Sequence, residues 1–431
     1  MKVGTIFRIL RHPSGIPDVV LRHLLKCTGF LLLYHTILLP LVVSHVKQKK
    51  TINVIFLAMS IDMWRYDELY RKLRDDPRFN PMIVTAMREN EPVNERIKMQ
   101  DKLLRYFVAK GYRVIPGYDA EKEAWINLNK YNPNLIFYTQ PYDGIIEDAF
   151  EFRHRLFALH CYAPYSFQMS KIWWNWNNDL QNFCWRHFLP GPYQLEVCSQ
   201  YSRIKGRNAE VVGYCLEEEL ALAEDEKKLA DIAWNHDCRK RVIWAPHHSI
   251  YASEMFKVSS FLEIADLMLS LRNEYADKIV FGFKPHPVLK SKLETIWGED
   301  KTARYYESWA KSNASFDASG DYRYLFAGSD AMIHCSGSFA LEYLYTRKPV
   351  QYVYSKVRNP PDMGELGDAA LAAHYSARSE DDIRRFLDTV VLGGEDRLWA
   401  ARDKVVRKYL QSATGMYFSE NIYRCIKGVF Q

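Results

Sequence analysis

From Thr51 onward, short apolar runs alternate with longer amphipathic stretches. That alternation is the mark of βαβ units, and so of a parallel sheet with helices on its faces. Strands are predicted at 53–58, 81–85, 112–115, 134–138 and 156–162, with helices at 63–73, 94–110 and 119–130 between them. A second series predicts strands at 241–245, 278–283, 330–334 and 350–354, with helices at 260–275, 322–327 and 339–346. The acidic helical stretch 216–236 separates the two series, and helices near 397–410 and 420–430 are free to pack on either half. The expected fold class is α/β: two doubly wound, Rossmann-type domains (51–236 and 237–431) facing a cleft, after an N-terminal helical segment (1–50). In such sheets ligands lie beyond the carboxyl ends of the strands.

Residues 30–43 (FLLLYHTILLPLVV) are uncharged and apolar. As a helix they cover about 21 Å, short of a hydrocarbon core of roughly 30 Å, and Pro40 is expected to kink them. Residues 1–50 hold eight lysines and arginines against one aspartate, a charge of +7, whereas the other 381 residues sum to −1. A nucleic-acid partner is therefore not expected, because the positive charge does not lie on the folded body. Cations around an apolar stretch suit an anionic membrane surface, and a monotopic or re-entrant anchor is favoured over a full span or a buried helix. The eight cysteines form no CxxC pair and no zinc-spaced cluster, so reduced thiols and no metal are expected. With 48% hydrophobic residues the chain has ample material for buried cores.

Three predicted strands end in chemically capable residues: Pro246-His247-His248-Ser249, Lys284-Pro285-His286-Pro287 and His334-Cys335-Ser336-Gly337-Ser338. Lys284 supplies a point charge for a phosphate. Prolines on both sides restrict His286, and its imidazole can move a proton near neutrality. The Ser336-Gly337-Ser338 turn opens a helix whose first N–H groups form an anion site. Glu342, one turn in, is placed to accept from a ribose. Taken singly, each has a plain reading: an N-cap, a rigid turn, capping or core histidines, a solvated glutamate. Their joint placement at successive strand ends points to phosphate chemistry.

Trp244-Ala245-Pro246, Lys284-Pro285-His286-Pro287 and the stretch 321–354 together resemble the CDP-glycerol glycerophosphotransferase family, which includes the teichoic-acid polymerases. The resemblance is best over 240–355. It implies a GT-B-like double Rossmann fold on the cytoplasmic face of the bacterial cell membrane. The implied activity is transfer of a polyol phosphate from a CDP-activated donor to a glycan or lipid-linked acceptor, with no cofactor. The first domain would be the acceptor side and the second the donor side.

Residue by residue, His286 stands at the family's Lys-x-His-Pro histidine, and Ser338 and Lys348-Pro349 fall on a second motif, where Cys335 and Ser336 replace its aspartate and tyrosine. In the first domain, 159–165 matches a family motif, and His160 is the nearest catalytic candidate. The expected roles are His286 or His160 as general base, with Lys284, His247, His248 and the 336–338 turn on the diphosphate. Two alternatives stand beside this one: a GT-B glycosyltransferase using Glu342 on a nucleotide sugar, and a non-catalytic envelope-assembly scaffold. The aromatic segment 165–193 reads either as an interfacial belt or acceptor platform, or as a buried helix.

Overall fold

The computed structural model describes residues 18–431 except 89–91, 143, 169–170, 172, 226, 252, 255–257, 311–321 and 358–362. The first 17 residues of the expected anchor and Asp321 of the second motif thus lie outside the described residues. The chain forms two compact units: Met1–Ser166 with Ile172–Cys215 and Ser412–Gln431, and Phe167–Lys171 with Leu216–Gln411.

The first unit is built on strands β1 (Ile52–Ala58), β2 (Phe79–Thr85), β3 (Val114–Ile115), β6 (Leu135–Tyr138), β7 (Leu159–Tyr162), β8 (Arg186–Leu189) and β9 (Ala209–Val211). They form one parallel sheet in the order β3-β2-β1-β6-β7-β8-β9. Its central strands are buried on both faces, which is why their sequences run apolar without alternating. A two-stranded antiparallel hairpin of β4 (Tyr118–Asp119) and β5 (Ala124–Trp125), followed by a 3-10 turn at Leu128–Tyr131, replaces the helix expected over 119–130. Gly117 explains the difference: a Cβ there would lie 2.0 Å from the Thr85 carbonyl oxygen. The chain is also pinned by Gly117 N–H to Thr85 Oγ1 (2.9 Å) and by Gln100, which accepts from Tyr118 N–H (3.0 Å) and donates to its carbonyl (2.9 Å).

The second unit carries β10 (Lys240–Ala245), β11 (Ile279–Phe283), β12 (Ala331–His334), β13 (Val350–Val353) and β14 (Tyr375–Ala377) in a parallel sheet ordered β11-β10-β12-β13-β14. The acidic stretch expected to close the first domain belongs here instead. Trp234 at its end packs into space left by two glycines, donating to Leu325 O at 3.1 Å. A Cβ on Gly282 or Gly328 would lie 2.8 or 2.7 Å from its indole. Conversely, the last helix, Phe418–Phe430, joins the first unit rather than the second. There Glu420 pairs with Lys72 (2.9 Å), Tyr423 donates to Asp76 (2.7 Å) and Asn421 donates to Val212 O (2.9 Å).

Ahead of β1, helix Asp18–Lys26 leads into Thr28–Lys47, the one described helix long and apolar enough to cross a membrane. Its 20 residues exceed the apolar run because Pro40 does not end it. A widened turn at Tyr34–Leu38 lies just before that proline, where its ring would otherwise meet the preceding turn. One face packs on the first unit through Leu31, Tyr34, Leu39, Val42 and Val46, with Tyr34 stacked on Phe183 at 4.1 Å. Leu33 and Ile37 on the other face are exposed. In the aromatic segment, Trp176, Phe183, Trp185 and Phe188 are buried and the path runs through a 3-10 turn, a short helix and β8. Among the described aromatic residues of that segment, only Trp173 is exposed as a belt would require.

Candidate active site

In the second sheet β10 lies between β11 and β12, with Trp244 beside Phe283 and Ala245 beside His334, so three neighbouring carboxyl ends share one edge. The loops that leave them are stitched together. Lys284 N–H donates to Trp244 O (2.8 Å), His286 N–H to Pro246 O (3.1 Å), and His247 N–H to Cys335 Sγ (3.4 Å). Pro246, Pro285 and Pro287 end the ladders by removing donors and fixing φ.

This brings His247, His248 and His286 into one cluster. Ring centroids are 4.3 Å apart for His247–His248, 4.1 Å for His248–His286 and 5.4 Å for His247–His286. One nitrogen of each lies within 4.8 Å of those of the others. In every ring Nδ1 receives a proton donor: Ser249 N–H on His247 (3.2 Å), the Lys292 ammonium on His248 (2.9 Å) and Val288 N–H on His286 (3.2 Å). A nitrogen that accepts from N–H carries no proton, so each neutral ring holds its proton on Nε2. Burial, then the neighbouring imidazoles and lysines, holds His247 and His286 well below the usual histidine range. Burial and Lys292 lower His248 too, against a smaller opposing pull from Glu254.

The cluster is thus a neutral set of three N–H donors, suited to anionic oxygens. Nitrogens at this spacing can ligate a metal, but a metal needs lone pairs, and those on Nδ1 already accept hydrogen bonds from donors of this chain. For the same reason the lone pair with which His286 was expected to act as general base faces its own backbone, and the ring presents a proton instead.

Lys292, which the sequence shows only as one of two lysines on the helix Leu289–Trp297, proves to be part of the site. Its ammonium pairs with Glu254 and contacts His248 Nδ1 and O (3.3 Å), which favours a bare Nδ1 on that ring against Glu254 Oε1, 3.5 Å from the same nitrogen. Nothing in its spacing distinguishes it from a solvated helix face; the signal would have been a charge able to reach back to the 247–249 loop.

The other expected residues fall into place unevenly. Lys284 is 4% exposed beneath the edge, its ammonium 5.9 Å from the Tyr322 ring. Glu342 is buried, not solvated or turned to a ribose: it accepts from Tyr322 Oη (2.6 Å) and Phe167 N–H (3.2 Å), bracing the unit's interior. After the Ser336-Gly337-Ser338 turn the helix has four α residues, Phe339–Glu342, and tightens to 3-10 at Tyr343–Thr346. Ser338 provides no side-chain cap. The turn is held by Ser336 N–H on His334 Nδ1 (3.1 Å) and reaches the cluster's loop through Cys335.

His160 is corrected outright. It lies within β7, 0% exposed, with Nδ1 against Tyr138 Oη (3.2 Å) and Nε2 against Arg155 O (2.8 Å), and burial pushes its pKa down to about 4. Both nitrogens are engaged inside the core, leaving none for a substrate.

No family model matches the sequence, and no curated protein matches it. Solved structures do match in fold. The wall teichoic acid polymerase TagF is 13% identical with a TM-score of 0.61, over 100% of this chain and 98% of that one. A TagF structure after a 15-minute CDPG soak gives 0.59 at 13% identity, over the same shares. UDP-GlcNAc 2-epimerase from Neisseria meningitidis bound to UDP-GlcNAc gives 0.52 at 13% identity, over 88% of this chain and 100% of that one. The chain therefore has a GT-B-like α/β fold, and its likeness to the teichoic-acid polymerases extends over the whole fold.

Proposed function

We propose that this protein is a membrane-associated transferase that moves a polyol phosphate, glycerol phosphate or a close relative, from a CDP-activated donor to a cell-envelope glycan or lipid-linked acceptor. The observation that carries the reading is the converging N–H donor set of His247, His248 and His286 at the carboxyl edge of the second sheet, with Lys284 and Lys292 beside it. The TagF fold supports the choice of a CDP-polyol, since one TagF structure was soaked with CDPG.

In this mechanism the acceptor hydroxyl oxygen attacks the β-phosphorus of the donor. A new P–O bond forms, the bond from that phosphorus to the bridging oxygen breaks, CMP leaves with the electron pair, and the hydroxyl proton passes to solvent. Such transfers depend on positioning and charge neutralisation more than on a strong base. The three imidazoles and the lysines spread the charge of the phosphoryl oxygens, and His286 acts as a donor to them. The exposed Leu33 and Ile37, flanked by Lys26, Lys47, Lys49 and Lys50, favour a helix lying on the cytoplasmic leaflet, its other face kept on the first unit.

The test is a panel of CDP-glycerol, CDP-ribitol, CMP-Kdo, UDP-sugars and GDP-sugars, read by thermal shift and by CMP release in the presence of membranes. Stabilisation by a CDP-polyol with CMP release undiminished in EDTA is expected. Stabilisation by a nucleotide sugar alone would establish the glycosyltransferase instead, and no response to any would leave the scaffold.

A further inference from the structure

At the amino edge of the first sheet, a cavity of about 320 Å³ opens between the Thr28–Lys47 helix and the turns that lead into β6 and β7. His45, Lys49, His154 and Arg155 line it together with Asn132 and Asn134, and none of the described residues lining it is an aspartate or glutamate. Arg155 is 9% exposed, and among the described residues its guanidinium donates to carbonyls alone, Ala149 O at 2.6 Å and Glu151 O at 3.3 Å. Its Nε is buried with no hydrogen-bond partner. The nearby carboxylates are engaged elsewhere, Asp148 by Arg153 and His154 (2.9 Å), and Glu151 by Arg153 (3.3 Å). A guanidinium withdrawn from water without a carboxylate calls for an anion.

Two features identify which anion. An apolar seam formed by Phe30, Tyr34 and Leu38 shares Val42, Leu156 and Phe157 with the cavity wall, so apolar and cationic surfaces are continuous. The same helix also exposes Leu33 and Ile37. Resting on the membrane-surface reading above, we propose that this cavity holds the phosphate of a membrane phospholipid on Arg155, Lys49 and the asparagine amides, with the acyl chains along the helix's apolar surface. The protein then carries a lipid site in its first unit, separate from the donor site in its second.

The test uses the full chain and three soluble probes: dihexanoyl phosphatidylglycerol below its micellar concentration, inorganic phosphate, and dihexanoylglycerol, which lacks phosphate. Binding of the phosphatidylglycerol at least about tenfold tighter than either of the others is expected. Lys49→Ala and Arg155→Lys should each weaken it by about tenfold, the scale of one charge-assisted hydrogen bond. Equal binding of inorganic phosphate would make this a free-anion site, and equal binding of dihexanoylglycerol would make it an apolar one; either overturns the lipid assignment. Unchanged affinity in Lys49→Ala, the partly exposed rim variant that spares the core, would overturn the location. Flotation of the wild-type protein on anionic vesicles tests the membrane reading separately: failure to float, with phosphatidylglycerol still bound, would remove that reading and leave the cavity.

Discussion

Both parallel sheets bury histidines inside their strands, His334 of β12 among them, but only the second sets further histidines beyond its strand ends. In the first, His160 and His187 sit within β7 and β8, sealed between layers. In the second, His247, His248 and His286 lie two or three residues beyond the last residue of β10 and β11, where the chain has left the ladder and the rings turn to one another. A side chain inside a central parallel strand is buried on either face, and burial of a polar ring is tolerated only if its nitrogens are satisfied or neutral. One that clears the strand end by two residues faces the edge where ligands bind. The difference is a matter of register rather than residue type.

The largest effect should come from breaking this contrast directly. His286→Ala is expected to lower transfer by about 10²–10³, the scale of one lost donor to a developing oxyanion, with thermal stability nearly unchanged. His160→Gln should do the reverse, lowering the melting temperature while leaving turnover per folded molecule close to wild type. Steady-state CMP release together with thermal unfolding of both variants reads this. A catalytic defect in His160→Gln without a stability defect would erase the distinction.

How the sequence encodes these positions explains which parts of it were readable. The apolar runs of β1, β6 and β10–β13 are long enough, and the Pro-bounded loops after β10 and β11 distinctive enough, to place both the sheets and the histidine edge. What escaped depended on contacts between distant residues. The hairpin at 118–125 exists because Gly117 approaches Thr85, and Trp234 joins the second unit because Gly282 and Gly328 make room for it. Glu342 looked like a helix-surface acid until Tyr322 and Phe167 closed over it. Lys292 enters the site only because Glu254 and the 247–249 loop fold back onto its helix.

A smaller effect, in acid stability, sharpens the same comparison. Burial lowers His160 and His374 to about 4 and His187 to about 3, from an ordinary value of 6.5. Between those values the unfolded chain binds protons that the folded chain does not, so unfolding gains as the pH falls. Stability should therefore be fully present above pH 6.5 and decline steadily from there toward pH 4. In denaturant melts across that range, His187→Leu should flatten the decline. An unchanged slope would mean that His187 is already protonated in the folded protein.

The most direct measurement is ¹⁵N NMR of histidine-labelled protein titrated with CDP-glycerol, in wild type and Lys292→Met. His247, His248 and His286 should all begin with the proton on Nε2, these Nε2–H signals should move on saturation with donor, and Lys292→Met should loosen the tautomer of His248 alone. Protons found on Nδ1, or rings that do not respond to saturating donor, would contradict this.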